Sequence, residues 1–123
     1  MDTALIENWM DQQSAADIAL LQGALHQLRE HGPALRRPLV GEVRRSRFKN
    51  MKELRPPSTG RSEIRILFAF DPERSAILLL AGDKANESGV RGALKWNQWY
   101  RSAIPQADKL YEEHLNNLKR RKA

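Results

Sequence analysis

The sequence predicts an α+β fold, and three patterns predict it. Apolar residues recur at helical spacing between residues 14 and 31, at Ile18, Leu21, Leu25 and Leu28. Ile64, Ile66, Phe68 and Phe70 alternate with Arg65, Leu67 and Ala69, the two-residue period of a strand. Helical spacing then returns at Ala107, Leu110, Tyr111, His114, Leu115 and Leu118. Helices, then sheet, then helix give a small antiparallel sheet of three or four strands with N-terminal helices and a C-terminal helix. A length of 123 residues is one domain's worth, so residues 1–123 are read as a single domain with a modest core.

Each element has a local cause. A short helical piece is expected around Leu5–Gln12, with Ile6, Trp9 and Met10 inward. Ser14 is placed to cap the next helix, with Asp17 three residues on as in a capping box. His31-Gly32-Pro33 ends it: Gly takes a left-handed backbone and Pro prevents continuation. Residues 33 to 50 lack a clear period and read as loop, with a short strand near Leu39–Val43. Met51–Arg55 is a strand, PPSTG a turn, and DPER a tight connection after Phe70. The run SAILLLA is apolar throughout, as in a central strand covered on both faces. These strands form an antiparallel meander. ANESGVRGAL is a polar loop, and WNQWYRSA begins a helix that Pro105 either kinks or restarts. The tail KRRKA is expected to fray.

The net charge is +6, and its distribution is informative. Residues 1 to 35 carry −4, residues 36 to 65 carry +7, and residues 66 to 123 carry +3. A basic middle is the electrostatic footprint of a nucleic-acid partner, or else a solvated basic face. Without cysteines there are no disulfides or thiolate metal sites. The runs ILFAF and AILLLAG are too short to cross a bilayer, and MDTALIENWM lacks a basic n-region. A bacterial-type cytoplasmic protein is the simplest expectation.

Most catalytic patterns are missing. His26, His31 and His114 fall at no metal-binding spacing, so no metal and no cofactor is expected. No Gly-rich phosphate loop follows a strand, and no serine sits in a nucleophile elbow. Asp71 and Glu73 sit in a turn, while Asp83 ends a strand beside Lys84. Cations remain. Arg55, Arg61, Arg65 and Lys84 lie at or near the ends of adjacent strands, with Lys52 close by. Arginine offers phosphate a bidentate fork and keeps its charge. Such a cluster can grip an RNA backbone and stabilise a pentacoordinate phosphorane. Alternation sets Lys52 and Leu54 to one side and Glu53 and Arg55 to the other. Trp96, Trp99 and Tyr100 offer stacking on an unpaired base, or else helix-to-sheet packing.

Four stretches carry a family resemblance: LREHGPALRRPLV, FKNMKELRPPSTGRSEIRILFAFDP, AILLLAGDK and WNQWYRSAIPQADKLYEEHL. Each alone is a weak pattern. In this order and spacing, from about Glu7 to Leu118, the chain resembles RelE/HigB-type toxins of bacterial type II toxin–antitoxin modules. Specifically, it resembles the phage-derived HigB-like branch of the RelE/ParE superfamily. The resemblance implies a small antiparallel sheet with helices on one side. It implies cleavage of mRNA in the ribosomal A site, with 16S rRNA holding the toxin. Basic residues there replace a histidine pair, and the substrate's 2′-OH attacks the adjacent phosphate without a metal. The implied partner is an antitoxin, often a helix-turn-helix protein, in a hetero-oligomer on operator DNA.

Carried over residue by residue, Arg65 matches the strand arginine on the scissile phosphate. Arg55 matches a basic residue near the 2′-OH or phosphate, and Lys84 one that helps the leaving group. Tyr100 matches an aromatic that stacks on the base. Arg61 is a further phosphate contact. Arg44, Arg45 and Arg47 fit an rRNA contact or a solvated loop, and Lys49, Lys52 and Trp96 complete the expected RNA-binding set. Glu53 stands where some members have a basic residue, against a lysine-type general base there. The family's opening strand is missing or reduced to a stub in MDTALI, and the loop after GDK is long. Besides the nuclease, two functions stay open. One is a ParE-like toxin acting on a protein such as gyrase. The other is a degenerate component that binds antitoxin.

Overall fold

The computed structural model describes residues 1–86 and 93–122, and their side chains except those of 93–97. The elements run α1 (Glu7–Asp11), α2 (Ala15–His31), β1 (Val40–Glu42), β2 (Met51–Leu54), β3 (Ile64–Phe70), β4 (Ala76–Asp83) and α3 (Ala93–Lys122), with a single 3-10 turn at Gly32–Ala34. The fold is α+β, with a four-stranded antiparallel sheet in the order β1-β2-β3-β4.

Local chemistry sets the ends of α2. The Ser14 hydroxyl accepts from the Asp17 N–H at 3.1 Å. The Asp17 carboxylate accepts from the Ser62 hydroxyl at 2.8 Å, tying the helix to the segment before β3. Gly32 closes α2 at φ 53, where a Cβ is costly.

Side-chain alternation decides the layers. Ile64, Ile66 and Phe68 face α1 and α2, burying Ile6, Leu21, Leu25 and Leu28 with Val40, Leu54 and Leu78. Leu67 and Ala69 face the opposite way, with Met51, Ile77 and Leu79 against Trp99, Ala103, Ile104, Ala107 and Tyr111 of α3. Helices therefore cover both faces of the sheet, which corrects the one-sided arrangement implied by family resemblance. Two apolar faces on β3 require two covers.

Two further expectations change, for SAILLLA and the basic tail, and two open alternatives are resolved, for MDTALI and Pro105. SAILLLA forms an edge strand rather than a central one. Its apolarity reports two covered faces, which is separate from its place in the hydrogen-bond order. Asp2 adds a parallel bridge there, its N–H on the Ala76 carbonyl at 2.8 Å and its carbonyl accepting from the Leu78 N–H at 3.0 Å. The stub of an opening strand in MDTALI is present. Pro105 lies inside one continuous α3 and starts no new helix. The Gln106 amide donates to the Ser102 carbonyl at 3.0 Å one residue from that break. The basic tail stays helical to Lys122, since cations at a helix C-terminus favour the macrodipole.

Candidate phosphate-binding cleft

Alternation puts Glu53, Arg65 and Leu67 on the α3 face of the sheet. Toward the end of that face, Trp99 and Tyr100 are among the α3 residues that cover it. Glu53 is 2% exposed and lies at the centre of a charged cluster. Arg55 Nε donates to its Oε1 at 2.9 Å, and Arg65 Nε lies 3.4 Å from the same oxygen. Tyr100 lines the same hollow as Glu53 and Arg55. Lys84 Nζ lies 5.4 Å from the Tyr100 ring centroid and 3.8 Å from a Glu63 oxygen. Arg65 Nη2 is 4.0 Å from the same Glu63 oxygen. Two carboxylates thus alternate with three cations.

Backbone features hold these side chains. Arg55 follows β2 directly, and its N–H donates to the Leu39 carbonyl at 2.7 Å. Its guanidinium lies over Gly41, where a Cβ would meet Nη2 at 2.5 Å, so only glycine fits without moving it. Arg65 Nη1 donates to the Ile64 carbonyl at 2.8 Å, while Arg65 Nε is buried without a well-aligned acceptor. Trp99 covers Gly82, where a Cβ would meet indole Nε1 at 2.4 Å. Trp99 is therefore core, and Tyr100 next to it reaches the cluster.

The electrostatics follow from burial and neighbours. Burial, then the Arg65 charge, pulls the Lys84 ammonium below its usual pKa, against the opposing pull of Glu53 and Glu63. Burial, then the hydrogen bond to Glu53, pushes the Tyr100 phenol well above its usual value. Lys84 is a more acidic proton donor than an ordinary lysine, and Tyr100 keeps its proton at neutral pH.

Arg55, Arg61 and Arg65, with Ser58, Ser62 and Asn86, line an open cleft of about 670 Å³. A second hollow of about 270 Å³ shares Arg55 and adds Arg44, Arg45, Glu53, Tyr100 and Ile104. A third of about 470 Å³ shares Arg45, Tyr100 and Ile104 and adds Arg47 and Arg101. Shared residues make these a chain of hollows with a basic rim. The loop carrying Arg44, Arg45 and Arg47 is held by buried Asp108 of α3. That carboxylate accepts from the Ser46 hydroxyl, and from the Arg47 N–H at 3.1 Å.

Four expected site residues, Arg55, Arg65, Lys84 and Tyr100, converge. Arg61, Arg44 and Arg45 border the hollows. Arg47 is paired with Glu112 at 2.5 Å. Lys49 is exposed beside that loop. Lys52 does not join the cluster: it lines a further hollow with Arg36 and Arg37, which adjoins the second through Glu42 and Arg44. The Trp96 side chain and residues 87–92 of the long loop lie outside the described residues. Among the described residues no group of His, Asp or Glu is arranged to hold a metal ion. Sequence reasoning missed Gly41 and Asp108, and noted Glu53 only as a departure from the family's basic residue. Glu53 shares strand parity with Arg55, which was a usable signal. Gly41 and Asp108 act through partners 14 and about 60 residues away, invisible before the fold.

A buried carboxylate between two arginines stands at the mouth of a basic cleft on a small α+β scaffold. Residues 8–112 match the family of phage-derived Gp49-like proteins. The chain is 50% identical over 114 residues to "Putative toxin HigB2" of Mycobacterium tuberculosis, covering 93% of this chain and 53% of that protein. It is 46% identical over 110 residues to "Putative toxin HigB3" of the same organism, covering 89% of this chain and 87% of that one. The chain thus spans about half the length of the first relative and most of the second. No solved structure matches it. The chain belongs to the Gp49-like family, among the HigB-type toxins.

Proposed function

We propose that this protein is the toxin of a type II toxin–antitoxin module and cleaves mRNA on the ribosome. The observation that carries this is the convergence of Arg55, Arg65, Lys84 and Tyr100, from four separate segments of the chain, at the end of one sheet face. The scissile phosphate sits between the Arg55 and Arg65 guanidiniums, which neutralise the charge of the pentacoordinate transition state. The substrate's 2′-hydroxyl gives its proton to solvent water as its oxygen bonds to phosphorus, and the P–O bond to the 5′-oxygen breaks. Lys84, made more acidic by burial, gives its proton to that leaving oxygen. The products are a 2′,3′-cyclic phosphate and a 5′-hydroxyl. Tyr100 stays protonated and presents its ring to a flanking base. Arg44, Arg45 and Arg61 extend the basic rim along the RNA and toward 16S rRNA. A cognate antitoxin masks this surface in the resting cell, and residues 1–123 act as one domain in the cytoplasm.

The test is mRNA cleavage in a purified translation system, with and without ribosomes, comparing wild type with Arg65→Ala. Removing one preorganised donor should slow cleavage by about 10²–10³-fold. Cuts that require ribosomes and fade in the variant are the expected result. A folded wild type that makes no cuts, or an Arg65→Ala protein as fast as wild type, overturns the assignment.

A further inference from the structure

We propose that Glu53 is the positioning residue of the cleft, a buried carboxylate that fixes the spread of Arg55 and Arg65 and the aim of Tyr100. This rests on the nuclease proposal for its kinetic consequence. Glu53 has a side-chain exposure of 3%, against 34% for Arg55 and 16% for Arg65. A carboxylate with so little water must be satisfied by the protein. Its Oε1 accepts a hydrogen bond from Arg55 Nε and forms a 3.4 Å ion pair with Arg65 Nε, the inner nitrogen of each guanidinium. Anchoring Nε leaves the two terminal nitrogens of each arginine for other anions. Arg65 spends Nη1 on the Ile64 carbonyl and has Nη2 near Glu63, at the long distance of 4.0 Å. Arg55 has its terminal nitrogens over Gly41, with no side chain there to displace them.

The same geometry has an electrostatic side. Glu53 removes one unit of positive charge from the pocket while ordering what remains. It therefore trades affinity for preorganisation, the quantity that speeds a charged transition state. Loss of Glu53 should leave the arginines mobile and more attractive to RNA. A purely structural residue would lower binding and turnover together as the fold weakened. A positioning residue separates them.

Glu53→Gln keeps the shape and one acceptor oxygen and removes the charge. Glu53→Leu removes both. Circular dichroism and thermal melts confirm that each variant is folded. Affinity for a short RNA oligonucleotide is measured beside kcat and KM for ribosome-dependent cleavage. Glu53→Leu should lower kcat about 30- to 100-fold, within the range for one preorganised contact, while KM and the oligonucleotide Kd hold or fall. Glu53→Gln should recover about a third or more of wild-type kcat, since its amide oxygen still orients the Nε groups.

A readout independent of activity is the Nε–H resonances of ¹⁵N-labelled protein. The wild type should show the Arg55 Nε–H protected from exchange, and Glu53→Leu should lose that protection. Unchanged kcat in folded Glu53→Leu overturns the proposal, as does a parallel loss of kcat and RNA affinity. Exchange of the Arg55 Nε–H as fast in wild type as in Glu53→Leu overturns it too. If wild type does not cleave at all, the nuclease proposal falls. The resonances and oligonucleotide affinities then still decide whether Glu53 orders the two arginines.

Discussion

At the scale of single residues, the cleft shows how burial changes what a side chain can do. Lys84 on an open surface would hold its proton too tightly to serve a leaving group near neutrality. Its burial, and the Arg65 charge beside it, lower its pKa below the usual 10.5. A general acid must be protonated to act, so cleavage should fall as pH rises through that lowered value. The alkaline limb of the pH–rate profile should therefore begin below the range of a free lysine. Lys84→Gln should remove the limb and slow cleavage about 10²-fold or more, the usual worth of a positioned acid. A limb that persists unchanged in Lys84→Gln would assign the proton to another group. Sequence alone places Lys84 just past a strand end, and family resemblance suggests its role. It could not supply the shift, which depends on Arg65 lying across the sheet through the Arg65–Gly82 register.

At the scale of elements, the sequence was legible where periodicity is local. The capped helix over 15–31 and the alternation of β3 follow from side chains within one or two turns of each other. The course of α3 through Pro105 did not, since tertiary packing of Ile104 and Ala107 holds a helix that local propensity would break. The loop at 44–49 has no period of its own and takes its shape from α3. Ser46 and the Arg47 N–H converge on Asp108, two turns beyond Arg101. Phe48 adds an edge-on contact to Tyr111, with ring centroids 4.9 Å apart. Asp108→Ala should cost about 1–2 kcal/mol, the scale of two lost hydrogen bonds with partial rehydration of the donors. It should also weaken ribosome binding, because Arg44 and Arg45 would no longer be held beside the cleft. Asp108→Asn keeps an acceptor and should do less of both. Thermal melts and ribosome co-sedimentation measure the two effects. Undiminished co-sedimentation of a folded Asp108→Ala would show that loop order does not matter for docking.

At the scale of the molecule, charge is segregated by sequence position and then gathered by the fold. The segment from 36 to 65, with its +7 charge, supplies β1, β2, the 44–49 loop and the opening of β3. The β1–β2 hairpin carries Arg44 and Arg45 at its turn and Arg55 at its other end, all along one hollow, while the −4 segment before residue 36 forms the helices on the opposite face. That polarity orients the molecule toward a polyanion and predicts a salt dependence. Arg44, Arg45, Arg55, Arg61 and Arg65 border the hollows, and each would release counterions from one phosphate. For a single strand each contact contributes about −0.7 to the slope of log K against log salt, so five give about −3.5. Affinity for a ribosome-bound mRNA mimic should then fall about 100-fold between 50 and 200 mM salt. The arginines should not count equally. Arg47 already pairs with Glu112, so Arg47→Ala should leave the slope nearly unchanged. Arg44→Ala and Arg45→Ala should each make it shallower by about 0.7. Equal changes for all three would mean that the Arg47–Glu112 pair opens on binding. No change for any, with ribosome affinity intact after all three become alanine, would remove this loop from the RNA surface. The cleft around Glu53 would then be left to bind alone.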